Sequence, residues 1–210
     1  MVKTDGKKTK EKILRVAEEL FSKKGFDGTS VDRIAKTARV NKALIYYHFK
    51  DKNDIITSLF KSMVEEASEY IECSYASENR DLDVREQIRE EIGFLLKRKN
   101  IVSVMIMESL KGNDKGNYFF KFAEIVINDK LNREIKALEG KNKGDYTKNE
   151  RYYIYEFFTG IVPIIMFAAF RDKWCEYFND DKKKLMENFI DLFNRSHIEP
   201  HVNPINPEKG

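Results

Sequence analysis

Residues 41–52 carry the side chains best suited to reading a nucleic acid. The stretch reads Asn-Lys-Ala-Leu-Ile-Tyr-Tyr-His-Phe-Lys-Asp-Lys and combines basic, aromatic and small residues. Lysine can bond guanine O6 and N7 in the major groove, although as a point charge it discriminates less sharply than arginine. A small residue permits close approach, and tyrosine offers a flat apolar face with a hydroxyl group. These residue types predict a short helix that enters the major groove of DNA.

A companion helix and a tight turn must hold this stretch against a duplex. Thr29 and Asp32 have the spacing of a capping box, which predicts a helix from there to about Ala38. Arg39 and Val40 then form the turn, and Asn41 is a good N-cap for the next helix. Two short helices joined by a tight turn are typical of a helix-turn-helix. In the helix expected at residues 41–52, the side chains that should face inward are those of Leu44, Ile45 and Phe49.

The spacing of apolar residues predicts an all-α fold with about nine helices. The first four are expected at about 9–24, 29–38, 41–52 and 51–75. The fifth starts at Asp81 or Asp83 and reaches about 96, the next three lie at about 101–110, 117–138 and 147–178, and a last one follows a cap at Asn179-Asp180. The middle of the eighth helix, residues 159–170, is apolar almost all round. Such a helix must be covered on all sides, by its own domain or by a partner subunit. Pro163 lies inside it and should kink it.

The charge of the chain is divided unevenly. Residues 1–52 hold 14 Lys/Arg and 7 Asp/Glu, a net charge of +7, whereas the remainder holds 24 basic and 28 acidic residues, a net charge of −4. A basic module on an acidic body indicates a polyanion partner for the module alone. On charge alone, a lysine-rich solvated face is an equally good interpretation.

Composition excludes several other classes of protein. With 35% charged and 41% hydrophobic residues, the chain is typical of a soluble globular protein. Cys73 and Cys175 are too far apart and too few for a disulfide framework or a four-thiolate zinc site, so we expect buried, reduced thiols and a cytoplasmic location. The N-terminus has no apolar signal segment, and the apolar run Ile161–Phe170 is shorter than the roughly 20 residues of a membrane span.

Residues 25–52 resemble the N-terminal signature of TetR-family transcriptional regulators. The resemblance rests on Gly25-Phe26-Asp27-Gly28-Thr29-Ser30, Ile34-Ala35, Ala43 to Phe49, and Lys52. It covers about the first quarter of the chain; the rest agrees only in length and helix order. It implies a homodimeric, all-helical repressor that binds a palindromic operator and releases it when a small molecule enters the C-terminal domain. The expected domains are a helix-turn-helix domain at 1–52, a helical ligand-binding and dimerisation domain at 53–198, and a mobile tail at 199–210.

The resemblance also implies roles for individual side chains at the DNA. Three residues would meet base edges or the thymine methyl group: Lys42, Ala43 and Tyr46. Three would contact phosphates: Tyr47, His48 and Lys52. Thr29 and Ser30 would bring hydroxyls and a helix N-terminus to a phosphate. Arg39 stands where the family usually has glycine. If its φ is positive, the strain of about 1 kcal/mol is offset by an Arg39 contact to the DNA backbone, or else the turn has another shape.

Two further expectations concern the C-terminal helices. The eighth and ninth helices should form a four-helix interface between two subunits, because one short helix reads too few bases for specificity. Adaptable methionines and flat aromatic rings suit an apolar or aromatic effector. The candidate effector-binding residues, which are equally well explained as core, are Phe94, Met105, Met107, Tyr118, Phe122, Tyr155 and Phe158. Glu108, Glu124 and Glu156 could pair with a cationic ligand or could be solvated.

Other function classes have weaker support in the sequence. An all-helical small-molecule-binding protein or enzyme with an incidental helix-turn-helix is the main alternative. The chain shows no Ser/His/Asp or Cys/His constellation, glycine-rich phosphate loop or metal-ligand spacing, so we expect no catalytic residues, cofactor or metal. A DNA-binding protein without sequence preference is a third interpretation, and activation instead of repression stays open.

Overall fold

The computed structural model describes residues 2–76, 83–112, 115, 117–137 and 150–202. All regular secondary structure within these residues is helical. The elements are α1 (Val2–Lys24), α2 (Val31–Ala38), α3 (Lys42–His48), α4 (Lys52–Ala76), α5 (Val84–Lys97), α6 (Lys99–Ser109), α7 (Asn117–Ala137), α8 (Glu150–Tyr155), the π-helical turn π1 (Glu156–Ile161), α9 (Val162–Phe178), α10 (Lys182–Phe193), the π-helical turn π2 (Asn194–Ile198) and α11 (Glu199–Val202). Because α8 runs through π1 into α9, and α10 through π2 into α11, the described residues form nine helical rods. The predicted all-α class is confirmed.

Several predicted helix boundaries are wrong. The first helix begins at Val2 instead of Thr9. The third ends at His48, since Phe49 is extended with φ −139° and ψ 133°, and Lys52 is the first residue of α4. Asp181, and not Asn179-Asp180, caps α10 by accepting hydrogen bonds from the amides of residues 183 and 184. The predicted start of the eighth helix at Thr147 and residues 203–210 of the tail lie outside the described residues.

The described residues within 1–74 and 100–122 form one packing unit. Its buried side chains include Phe21, Ile34, Ile45, Phe49 and Phe60. The rings of Phe21 and Phe26 lie 5.4 Å apart, which anchors the α1–α2 loop on the core. Cys73 is exposed, contrary to expectation, because it lies on the solvated side of α4. The unit holds α1, α2 and α3 together.

The described residues within 75–99 and 123–210 form a second unit. Isoleucines of α5, α9 and α10 fill its core, and the stacked rings of Phe167 and Phe189, 4.1 Å apart, join α9 to α10. Arg89 of α5 donates to both carboxylate oxygens of Glu187 on α10, at 2.7 and 2.8 Å. Pro163 is the second residue of α9, one residue beyond the end of π1, so the predicted disturbance of the helix takes the form of a wider turn. The predicted functional division after residue 52 stays a prediction.

Candidate nucleic-acid interface

Local hydrogen bonds and backbone conformation fix where α2 begins and how it ends in the turn to α3. The Ser30 hydroxyl oxygen accepts a hydrogen bond from the Arg33 amide at 3.2 Å and caps α2. Arg39 is in the left-handed conformation, with φ 53° and ψ 47°. Its amide donates to Lys36 O at 3.2 Å, and the next amide, of Val40, donates to Ala35 O at 3.0 Å. This pair of bonds ends α2 abruptly in a Schellman motif. The chain is thereby turned directly into α3.

The recognition surface, defined as Lys42, Ala43, Tyr46 and Tyr47, is the exposed face of α3. The Asn41 side chain caps the helix by accepting from the Ala43 amide at 3.0 Å. Spacings of one, three and four residues bring these four side chains to one face, with Tyr47 80% exposed. Ile45 and Phe49 are buried as predicted, but Leu44 is 37% exposed. Adjacent residues of a helix point about 100° apart, so Leu44 lies beside the buried face and not on it.

Lys42 is held by a neighbour on α2. Its Nζ lies 2.8 Å from Oδ1 and 3.0 Å from Oδ2 of Asp32. The pKa of Lys42 is raised above its usual value, chiefly by the hydrogen bond to Asp32. Asp32 therefore orients Lys42 and does not close a capping box with Thr29, as the sequence had suggested. Sequence reasoning missed this pair because its members are on different helices.

Thr29 and Ser30 differ in what they can offer a phosphate. Thr29 is 1% exposed, and its hydroxyl donates inward to Gly25 O at 2.9 Å. Ser30 is exposed, and its hydroxyl hydrogen can still be donated while its oxygen caps α2. We therefore keep Ser30 as a candidate phosphate ligand and give Thr29 the structural role of closing the α1–α2 loop.

His48 and Lys52 are both partly engaged within the protein. His48 is half-buried, its Nε2 is shielded from solvent, and its ring lies edge-on to Tyr47 at 5.0 Å. In this conformation Nε2 is not presented to a phosphate. The Nζ of Lys52 donates to Phe26 O at 2.8 Å and lies 4.1 Å from the centre of the Phe26 ring. An ammonium group has three donors, so Lys52 can hold the loop and still meet a phosphate.

The candidate effector-binding residues do not fall in one packing unit. Met105, Met107, Tyr118 and Phe122 belong to the first unit, and Phe94, Tyr155 and Phe158 belong to the second. Met105 and Phe122 are buried, which fits the interpretation as core. Tyr118 packs against Phe60 of α4, with ring centres 5.7 Å apart. Met107 and Phe158 are exposed. Their roles in effector binding stay predictions.

A buried polar cluster occupies the meeting point of π1 and π2, and the sequence did not indicate it. Glu156 and His197 are each about 1% exposed, and Glu156 Oε1 lies 3.6 Å from His197 Nε2. Lys130 Nζ lies 3.3 Å from Glu156 Oε2. Tyr155, one of the predicted effector-binding residues, stacks on the His197 ring at 5.2 Å. Burial thus shows that Glu156 is not solvated, and the same holds for Glu108, which is 2% exposed.

This cluster has the residue types of a nucleophile–base–acid arrangement but not its hydrogen-bond directions. Thr159 Oγ1 lies 3.0 Å from His197 Nδ1. The Thr159 hydroxyl, however, donates to Tyr155 O at 2.7 Å, so it accepts from the histidine instead of giving up its proton to it. No group of three or more potential metal ligands occurs among the described residues. The cluster ties π1 to π2.

Comparisons with known proteins bear directly on the helix-turn-helix. Residues 13–59 match the family model of bacterial regulatory proteins of the tetR family. The chain is 29% identical over 141 residues to the biofilm operon icaADBC HTH-type negative transcriptional regulator IcaR of Staphylococcus aureus (strain Newman), covering 67% of this chain and 75% of the relative. It is 35% identical over 129 residues to the probable HTH-type transcriptional regulator YttP of Bacillus subtilis (strain 168), covering 61% and 56%.

Solved structures show the same fold over most of the chain. A transcriptional regulator from Aquifex aeolicus VF5 superposes with a TM-score of 0.59 at 25% identity, covering 89% of this chain and 98% of the other. The regulator FadR from Bacillus subtilis, solved in complex with stearoyl-CoA, gives a TM-score of 0.59 at 22% identity, covering 87% and 96%. The family match, the relatives and the capped α2–α3 turn lead to one conclusion: residues 13–59 are a helix-turn-helix domain of the tetR family of bacterial regulatory proteins.

Proposed function

We propose that the protein is a homodimeric repressor that reads a palindromic operator through the recognition surface and releases it on binding a small apolar or aromatic effector. The observation that carries the DNA-reading part is the exposure of Lys42, Ala43, Tyr46 and Tyr47 on one face of a capped helix. Lys42 can bond guanine, and Ala43 and Tyr46 can lie against a thymine methyl group. Ser30, Arg39, Tyr47 and Lys52 supply phosphate contacts that fix the orientation.

Two copies are needed because one short helix contacts few base pairs. Two half-sites one helical turn apart require the two α3 helices to lie about 34–36 Å apart. One face of α9 offers a surface for pairing, since Met166, Phe170, Trp174 and Phe178 follow one another at helical spacing and are 37–58% exposed. Exposed aromatic and methionine side chains are characteristic of protein interfaces. A second copy of α9 and α10 would cover this face.

A membrane is the competing occupant of that face. The stretch Glu150–Phe178 is 29 residues long and apolar enough to cross a bilayer by length and composition. The same stretch carries the buried Glu156, which lies close to Lys130 and His197. Placing such an ionisable side chain in the hydrocarbon of a bilayer costs free energy. Sedimentation of the purified chain at tens of micromolar should show a dimer. Monomer alone at that concentration, or partition into lipid vesicles, would contradict the proposed pairing.

The proposed control by an effector is supported only by the similarity of the chain to other regulators. IcaR is named a negative regulator, and FadR was solved with stearoyl-CoA, an apolar acyl chain on a polar carrier. We propose that an effector displaces α6 and α7, that α4 swings, and that the two α3 helices leave their one-turn spacing. Linkage then requires the effector and the operator to weaken each other by the same factor. An effector that binds without changing operator affinity would refute this mechanism.

Selection of bound duplexes from a random pool at about 150 mM salt tests the DNA-reading function. Wild type should enrich a palindrome, and Lys42→Ala combined with Tyr46→Ala should not. Lys97→Ala, at the exposed end of α5, removes the same charge elsewhere and should enrich the wild-type sequence. Equal recovery of all duplexes by wild type would indicate a binder without sequence preference.

A further inference from the structure

A lysine after α6 bridges two carboxylates that belong to different parts of the first unit. Lys111 Nζ lies 2.7 Å from Glu108 Oε1 and 2.8 Å from Asp27 Oδ2. Glu108 is on α6, and Asp27 is in the loop between α1 and α2. The two ends of the bridge differ in environment, because the side chain of Glu108 is 2% exposed and that of Asp27 is 79% exposed.

The buried end of the bridge fixes the position of the lysine. A carboxylate withdrawn from water is costly unless a cation and hydrogen bonds compensate it. Among the described residues no hydrogen-bond donor reaches Glu108 Oε2, so the contact of Oε1 with Lys111 is its main compensation. Lys111 therefore stays with α6 wherever α6 moves. The pKa of Lys111 is raised, first by its hydrogen bond to Asp27 and then by that to Glu108.

At its exposed end, the bridge contacts the α1–α2 loop, which leads into the helix-turn-helix. The pKa of Asp27 is lowered, chiefly by the Lys111 hydrogen bond. Next to it, the Phe26 ring has Lys115 Nζ at 4.0 Å and Lys52 Nζ at 4.1 Å from its centre. The segment after α6 thus contacts two adjacent residues of this loop. Surface ion pairs are weak and screened by salt, so the bridge will open at Asp27 before it opens at Glu108.

The loop can transmit a displacement because it is tightly packed. A Cβ atom at Gly28 would lie 2.4 Å from Lys24 O, so the chain passes close against the end of α1. Thr29 closes the loop by donating to Gly25 O at 2.9 Å, and Ser30 caps α2 directly afterwards. A displacement of Asp27 therefore reaches Val31, the first residue of α2, through only three intervening residues.

We propose that Lys111 is a positioning residue for DNA binding, and that the Glu108–Lys111–Asp27 bridge couples α6 to the helix-turn-helix. The bridge holds α2 and α3 in the orientation seen here, and a shift of α6 breaks it at Asp27. The release by an effector rests on the proposed function, whereas the mechanical link from Lys111 to α2 does not.

Asp27→Asn tests the link while leaving the buried Glu108–Lys111 pair intact. Hydrogen exchange of the full chain, without DNA or effector, should be about two- to fivefold faster across residues 25–38 in this variant, the size expected for one exposed ion pair. Glu72→Gln, an exposed acid on α4, is the charge-matched control and should not change this exchange. Exchange across residues 25–38 that equals that of the control would overturn the proposal, whatever the protein does with DNA.

A second measurement separates positioning from charge. Removing a negative charge beside a DNA-binding surface should by itself strengthen binding to duplexes of any sequence. If Lys111 positions the helix-turn-helix, Asp27→Asn should instead weaken binding to the selected palindrome about two- to fivefold relative to Glu72→Gln. Tighter binding to the palindrome and to a scrambled duplex alike would show that Asp27 acts through its charge alone and would contradict the proposal. Absence of any DNA binding by wild type would overturn the proposed function, while the exchange measurement would still decide the bridge.

Discussion

Lys42 on α3 and Asp32 on α2 form an ion pair on the surface that we propose faces DNA, with Nζ 2.8 Å from Oδ1. The pair is exposed, so its contribution to folding stability is small. The ion pair instead affects which group of the DNA Lys42 can bind, because the Asp32 carboxylate repels a phosphate that would otherwise bind the lysine. We propose that Lys42 is thereby kept for base edges, which carry sequence information, instead of phosphates, which do not.

Asp32→Asn should therefore lower the preference for the palindrome over a scrambled duplex. The freed Lys42 can bind a phosphate, so binding to the scrambled duplex should strengthen and its salt dependence should steepen by about 0.9 in log–log slope. Fluorescence anisotropy between 50 and 200 mM salt measures both quantities. Asp32→Glu, which keeps the charge, should resemble wild type. Unchanged affinity and slope in Asp32→Asn would show that the pair does not direct Lys42.

Arg39 is strained in the left-handed region at φ 53°, and glycine would relieve the strain. Arg39→Gly should raise the free energy of unfolding by up to about 1 kcal/mol and yet weaken DNA binding, if the side chain meets a phosphate. Arg39→Lys retains the charge and should keep most of the affinity. Urea denaturation and anisotropy measure the two effects. An Arg39→Gly protein that binds DNA as tightly as wild type would rule out the phosphate contact.

Gly160 allows His197 to approach the π1 turn. A Cβ atom there would lie 2.8 Å from His197 Nε2 and 3.1 Å from Glu156 Oε2. Gly160→Ala should lower the free energy of unfolding by about 1–3 kcal/mol, because the buried cluster must shift. Gly93→Ala is the matched control, since a Cβ there meets nothing within 4 Å, and it should raise stability by about 1 kcal/mol. Equal effects of the two substitutions in urea denaturation would contradict the close packing at Gly160.

The ionisation of Asp172 makes the free energy of unfolding depend on pH in the acid range. Lys182, Lys99 and Arg171 surround its carboxylate and hold its pKa well below the usual value, with the hydrogen bond from Lys182 as the largest cause. A pKa lowered in the folded state contributes stability above the unfolded pKa of about 3.9, and this contribution is lost as pH falls toward the folded pKa. Asp172→Asn should cost about 1 kcal/mol at pH 7, allowing for solvent screening, and less at pH 3. A constant difference between the two proteins from pH 7 to pH 3 would contradict this role.

Local signals were sufficient to predict the helix-turn-helix. The N-cap at Asn41, the turn at Arg39 and the inward spacing of Ile34, Ala35 and Ile45 each depend on residues within one or two helical turns. The same kind of reasoning could not rank Thr29 against Ser30. Both carry hydroxyl groups at the start of α2, and only packing against α1 decides which one is buried.

Contacts between distant segments explain most of what the sequence did not reveal. His197 meets Thr159 across 38 residues, and Lys111 meets Asp27 across 84. No periodicity relates such partners, since the apolar spacing of each helix is satisfied without these contacts and Asp27 and Lys111 lie outside the helices. The π1 turn was missed for a related reason: Pro163 predicts a disturbance of the helix but not the form it takes.

The affinity of the protein for a selected palindrome and for its scrambled counterpart, measured across a salt series, tests the central claim most directly. Wild type should bind the palindrome at least about 10³-fold more tightly. Lys42→Ala combined with Tyr46→Ala should lose most of that preference while retaining binding to the scrambled duplex. If the variant keeps the full preference, α3 does not read the bases, and the account of the recognition surface is wrong.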